Sequence, residues 1–182
     1  MDEVSISMVE KSVESQIIIP SGEVIAENVS PEEYMEKYAA LFCEYVRGYV
    51  VKMSPVHKLH NDLTKFFVVL FELYFSKTKL GVIQTEPFVM KLSPKIRREP
   101  DLMVILNDNV PNLKPTFLDG PADICIEVVS PESKVRDHSE KLEEYEQGGV
   151  TEYWTLDSRL SDAGHYVAHQ TINGHYRTPL LP

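Results

Sequence analysis

Ile124-Cys125-Ile126-Glu127-Val128-Val129 is apolar in both alternation parities except at one position, which carries an acid. A run of that kind reads as a central strand covered on both faces. An ionised carboxylate inside it loses its hydration, so it must be neutralised, paired or bound to a cation. A second acid stands in the same situation upstream, where Glu99-Pro100-Asp101 opens Leu102-Met103-Val104-Ile105-Leu106; Lys141 follows both. Two acids converging with a lysine point to a divalent metal site, with Asp101 and Glu127 as its carboxylates. The competing readings are a turn-forming cap for Asp101, ion pairs of the acids with Arg97, Arg98 or Lys141, and a solvated helix lysine at Lys141.

Outward from these two strands, residues 107–120 form a loop rich in Asn, Asp and Pro that returns the chain to the Glu127 strand as an antiparallel neighbour of the Asp101 strand. A helix over residues 138–147 follows, stopped by Gly148-Gly149, and then a strand over 150–156. Upstream, Ser30-Pro31-Glu32-Glu33 starts a helix reaching about Phe42, with Ser as its cap. Residues 44–53 read as two short strands turning at Arg47-Gly48. The longest helix runs from His57 to about Lys77, with His60, Leu63, Phe67, Leu70 and Tyr74 as its apolar stripe, widened by Leu59, Phe66 and Leu73. Strands are expected at 81–83 and 87–92, and a hairpin over 164–181 turning at Asn173-Gly174. Gln16-Ile17-Ile18-Ile19 is a further short strand candidate. The pattern predicts an α/β (α+β) fold, a mixed central sheet flanked by helices. GxGxxG, GxxxxGK[ST] and GxSxG are all absent, which removes the nucleotide-binding and hydrolase folds they mark.

At 182 residues the chain fits an N-terminal leader over 1–29 and a single domain over 30–182. Its 43% hydrophobic and 25% charged residues are those of a soluble globular protein. Cys43 and Cys125 lack CxxC or Cys/His spacing, so neither a disulfide framework nor a zinc cluster is signalled. The acidic start Met1-Asp2-Glu3-Val4 and the absence of any apolar run near ~20 residues lead us to expect a cytoplasmic protein with no membrane contact. The formal net charge of −10 opposes broad electrostatic binding of nucleic acid. Lys91, Lys95, Arg97 and Arg98, then Lys134 and Arg136, are local basic patches that offset it, and bound divalent cations would cancel part of a negative site.

Ile126-Glu127-Val128-Val129-Ser130-Pro131-Glu132-Ser133, followed by Asp137, Lys141, Tyr145, Gly149-Val150, Glu152-Tyr153-Trp154 and Asp157, resembles the signature of the Uma-type putative restriction endonucleases of the PD-(D/E)XK nuclease superfamily. Glu44 before Gly48, Met53-Ser54-Pro55, His60 and Pro100-Asp101 extend the resemblance over roughly residues 30–157. It implies a restriction-endonuclease-like fold and a Mg²⁺- or Mn²⁺-dependent endonuclease that hydrolyses DNA phosphodiesters. It also implies Asp101 and Glu127 as metal-binding acids, with the backbone carbonyl of Val128 as a further ligand. The superfamily's usual lysine, two residues after the second acid, is here Val129; the Uma-type pattern moves the cation to Lys141, where it assists the nucleophile. Glu44 matches the family's early acid, a holder of water or a second metal. His60 either faces the site or is a hydrogen-bonded core residue. Tyr145, one helical turn beyond Lys141, orders it. A homodimer is expected on the ground that one such site cuts one strand, and the sequence itself does not establish it.

Several residues stay with plainer readings. Glu86 faces the same cleft or, more simply, is a strand-end surface residue; Asp137 is a turn or capping residue. Tyr153 and Trp154 are core, and His165, His169 and His175 are surface. The alternative function is a catalytically silent nuclease-fold scaffold binding a protein or nucleic-acid partner; a third is hydrolysis of another phosphorylated substrate.

Overall fold

The computed structural model of the chain describes residues 20–130, 133, 136–157, 166–172 and 175–177. Gln16-Ile17-Ile18-Ile19, Lys134, His165 and the Asn173-Gly174 turn lie outside the described residues.

The fold is mixed α+β and contains two mixed sheets rather than the single central sheet expected. The first six-stranded sheet is built from β1 (Glu23–Ala26), β2 (Cys43–Val46), β3 (Tyr49–Lys52), β5 (Val89–Ser93), β6 (Ile96–Arg98) and β8 (Phe117–Leu118), in the order β1-β3-β2-β6-β5-β8. The second is built from β4 (Gly81–Thr85), β7 (Leu102–Leu106), β9 (Ile124–Val129), β10 (Glu152–Asp157), β11 (Tyr166–Ile172) and β12 (His175–Arg177), in the order β12-β11-β10-β9-β7-β4. The division occurs where β4 meets Pro87, which has no N–H to continue a ladder. The chain leaves there to form the β5–β6 pair of the first sheet and re-enters the second at Asp101.

β7 and β9 are antiparallel, with Leu102 opposite Ile126 and Met103 opposite Cys125. Alternation along both strands divides their side chains between two cores. Leu102, Val104, Ile126 and Val128 pack beneath α2 (Lys58–Thr78), against Leu63, Phe67, Phe71 and Phe75. Met103, Ile105 and Cys125 face the other way, against Tyr145 of α3 (Lys141–Gly148) and Tyr153 of β10. Asp101 and Glu127 share the parity of this second set, so both belong to the α3 side.

The helices differ from expectation in instructive ways. α1 (Pro31–Lys37) starts as predicted, with the Glu33 N–H donating to Ser30 Oγ at 3.1 Å, but ends five residues short of Phe42. Tyr34 is fully buried under it and Phe42 takes φ +58°, turning the chain into β2. The inward stripe of α2 is His60, Leu63, Phe67, Phe71 and Phe75, of which His60 and Phe75 are buried and the other three half-buried. Leu70 and Tyr74, expected inside, are exposed with Leu59, Phe66 and Leu73. A helix apolar on most of its circumference does not reveal by period which arc meets the sheet. Before α3 a π-helical turn (Arg136–Glu140) replaces the start of the expected helix, and α3 ends at Gly149 in the left-handed region, φ +88°.

Candidate metal centre

β4 pairs with β7 so that Thr85 lies opposite Leu102, and β7 pairs with β9 so that Leu102 lies opposite Ile126. One step further along each register sets Glu86, Asp101 and Glu127 in a row across three adjacent chains, on the face that carries α3. The row borders a cleft of about 160 Å³ lined also by His60, Arg136, Asp137 and Lys141. Sequence periodicity holds Asp101 and Glu127 in this row because each continues the odd-parity face of its strand.

Asp101 is fixed from two directions. The Val128 N–H donates to its Oδ2 at 2.6 Å. His60 Nε2, brought in by the first turn of α2, stands 3.2 Å from its Oδ1 within ion-pair reach, though off the hydrogen-bonding direction. Burial works against a charged imidazole, but Asp101 first and Glu86 and Asp137 after it outweigh burial, so the His60 pKa lies above its ordinary value.

Glu86 is the residue the sequence reading placed at the surface. It is half-buried in the cleft, and with His60 and Asp101 it forms a triad whose ligand atoms all lie within 4.8 Å of one another. Burial, and then the charge of Asp101, push its carboxyl up to about 7. Its Oε2 is buried without a hydrogen-bond partner, as is His60 Nε2. The signal that would have found Glu86 is register: the chain can break at Glu86-Pro87 only after the strand has set that side chain opposite Asp101.

Glu127 is held differently. Lys141 Nζ and Tyr145 Oη both donate to its Oε1, each at 2.8 Å. The two donors sit one helical turn apart on α3, so a single helix face clamps the carboxylate. Burial raises the Glu127 pKa to about 8, with Lys141 opposing and Asp101 and Asp137 reinforcing the rise. Lys141 is fully buried and also reaches Glu44 Oε1 at 3.2 Å and Asp137 Oδ1 at 3.8 Å. Burial disfavours its ammonium, but Glu127, Glu44 and Asp137 more than compensate and hold its pKa above the ordinary lysine value. A lysine so held stays protonated; it can neutralise and orient Glu127 but cannot take up a proton.

Glu44 is fully buried behind Lys141 and pairs with Arg98 at 2.7 Å. Burial alone would raise its pKa, yet Lys141 and Arg98 together drive it well below the carboxylate range. Arg98 is itself fully buried and donates to Glu144 of α3 at 2.7 Å. Arg97 and Arg98, a basic patch in the sequence, are both buried in the first sheet: Arg98 satisfies the buried acids Glu44 and Glu144 rather than a phosphate, and Arg97 Nη1 donates to the Ser93 and Ile96 carbonyls. Asp137, read as a turn or cap, is buried in the cleft, and its carbonyl accepts from Tyr153 Oη at 2.7 Å. Tyr153 is core, as expected; the ring of His169 stacks on it at 6.2 Å instead of standing at the surface. His175 is exposed.

Four acids and one histidine meet one buried lysine and the partly exposed Arg136, so the cleft carries an excess of negative charge. Glu86 Oε2, buried with no hydrogen-bond partner, and His60 Nε2, held by an ion pair with Asp101 but making no hydrogen bond, fit a divalent cation in that field. Two carboxylates with one imidazole suit Mn²⁺ or Mg²⁺, the nitrogen favouring the former.

A family model described as "Uma2: Putative restriction endonuclease" matches residues 31–180. Among solved structures, the chain is similar to a putative nuclease belonging to DUF820 from Anabaena variabilis, with a TM-score of 0.62 and 12% identity, over 76% of this chain and 83% of that one. No curated protein matches the chain. Among the described residues, no helix is long and apolar enough to cross a membrane.

Proposed function

The chain belongs to the Uma2 family of putative restriction endonucleases, and from that premise we propose that it is a metal-dependent endonuclease hydrolysing DNA phosphodiester bonds. The observation that carries the proposal is the row Glu86, Asp101 and Glu127, with His60 beside it and Glu86 Oε2 buried without a hydrogen-bond partner. Asp101 belongs both to the expected pair with Glu127 and to the triad with His60 and Glu86, and is the central ligand. Val128 supports it through its N–H, in addition to the carbonyl role implied by the family resemblance. A bound Mg²⁺ or Mn²⁺ would supply a polarised phosphodiester and an activated water.

The chain's own residues do the rest. Lys141 and Tyr145 hold Glu127 in one orientation, and the Lys141 ammonium opposes the rise in its pKa that burial and the neighbouring acids cause. Glu44 and Arg98 keep Lys141 in place from behind, so Glu44 is a positioning residue rather than a ligand. Arg136 lines the cleft, its Nε 4.0 Å from Asp137 Oδ1, and brings a positive charge to the side where a phosphate would bind. The scaffold alternative draws on the net charge of −10. It leaves the buried Glu86 Oε2, which has no hydrogen-bond partner, without compensation.

The test is cleavage of supercoiled plasmid with Mg²⁺ or Mn²⁺, alongside calorimetric metal titration, for wild type, Asp101→Asn, Glu86→Gln, Glu127→Gln and Lys141→Met. Nuclease action requires that Asp101→Asn lose both cleavage and metal binding, and that Lys141→Met lose about 100-fold in rate through lost electrostatic positioning with metal binding retained. Wild-type protein that binds no divalent metal would leave the scaffold reading standing.

A further inference from the structure

α2 presents two apolar faces, of which the fold uses one. Phe67, Phe71 and Phe75 lie on the second sheet. On the opposite arc, Leu59, Phe66, Val69, Leu70, Leu73 and Tyr74 stand 47–59% exposed. Isolated exposed apolar residues need no explanation, but six on one helix face form a contiguous patch of the kind that marks an interaction site. The helix is 21 residues, about 31 Å long, and a face of that length with its flanks is of the size that contributes roughly 800 Å² per partner in a standard interface.

The charges beside the patch say what covers it. Lys65 and Glu72 lie on one flank of the exposed arc, and Asp62 and Lys77 near its two ends. In an antiparallel pairing of two such helices about a two-fold axis near Val69, Lys65 of one copy meets Glu72 of the other, and Asp62 meets Lys77. The same axis sets Phe66 against Leu73. A two-fold interface must be complementary to itself, and this face is, in both charge and apolar content. We propose that the exposed face of α2 is the homodimer interface of this protein, formed by antiparallel α2–α2 packing with a second copy of the chain. The proposal does not depend on the nuclease reading, because none of these side chains lines the metal cleft.

The experiment is sedimentation equilibrium of the full chain over a concentration series, with circular dichroism to verify folding. Wild type is expected as a dimer. Phe66→Glu and Leu73→Glu, both at exposed positions, are expected to keep the fold and raise the dimer dissociation constant by about 100-fold or more. Lys65→Glu and Glu72→Lys should each weaken dimerisation, and the doubly reversed chain should restore it, a result that nonspecific stickiness cannot give. A wild-type monomer across the series, a dimer indifferent to Phe66→Glu, or a double reversal no better than either single one would each overturn the proposal.

Discussion

Glu99 stands two residues before Asp101, the proposed central metal ligand, and contacts Tyr34 of α1. It is fully buried, its Oε2 has no partner, and its Oε1 receives only the Tyr34 hydroxyl at 3.3 Å. Burial, then the charge of Glu44, push its pKa up to about 8. Its folded pKa is thus raised above that of the unfolded chain, about 4.3, so the stability it contributes is complete below that value and is lost as pH rises toward 8. Glu99→Gln removes the titration. Urea unfolding should find the variant more stable than wild type by about 1–3 kcal/mol at pH 8, with the gap closing toward pH 4.5; a constant gap would contradict the assignment. Lys141 illustrates the opposite outcome of burial: three acids hold its charge, so it orders the site without exchanging a proton.

At the scale of elements, α3 positions the site and its exit determines where its residues point. Gly148-Gly149 marks a helix stop in the sequence, and the structure gives the two glycines separate physical tasks. Gly149 takes φ +88° with open room around it: an added Cβ would meet Pro121 only at 3.8 Å. Gly148 has an ordinary backbone, yet an added Cβ would lie 2.4 Å from Leu92 Cδ1, a buried core side chain. Gly149→Ala should cost about 1–2 kcal/mol through backbone strain alone. Gly148→Ala should cost about 1–3 kcal/mol through overpacking, and only that cost should shrink when Leu92 is shortened to Val. Thermal unfolding of the three variants separates the two causes.

For the whole molecule, the second sheet and the turn before α3 bring four acids from four separate segments into one cleft, and the resulting repulsion is the reason a cation should stabilise the fold. At a Mn²⁺ concentration 100 times its dissociation constant, the native state gains about 2.7 kcal/mol, visible as a rise in Tm that grows with metal. Asp101→Asn should flatten that dependence while leaving the metal-free Tm equal or higher, since it removes one of the mutually repelling charges. A wild-type Tm indifferent to Mn²⁺ would refute the site. The sequence by itself determined the strands of Asp101 and Glu127, their antiparallel pairing, the Lys141 helix and the family, because these follow from local periodicity, turn chemistry and motif spacing. It did not decide that Glu86 joins Asp101, that Glu44 lies behind Lys141 and pairs with Arg98, or which arc of α2 is buried. Those facts depend on strand register across chain breaks and on which surfaces meet, and an acid in a strand looks the same in sequence whether its neighbour in space is water, a lysine or another acid.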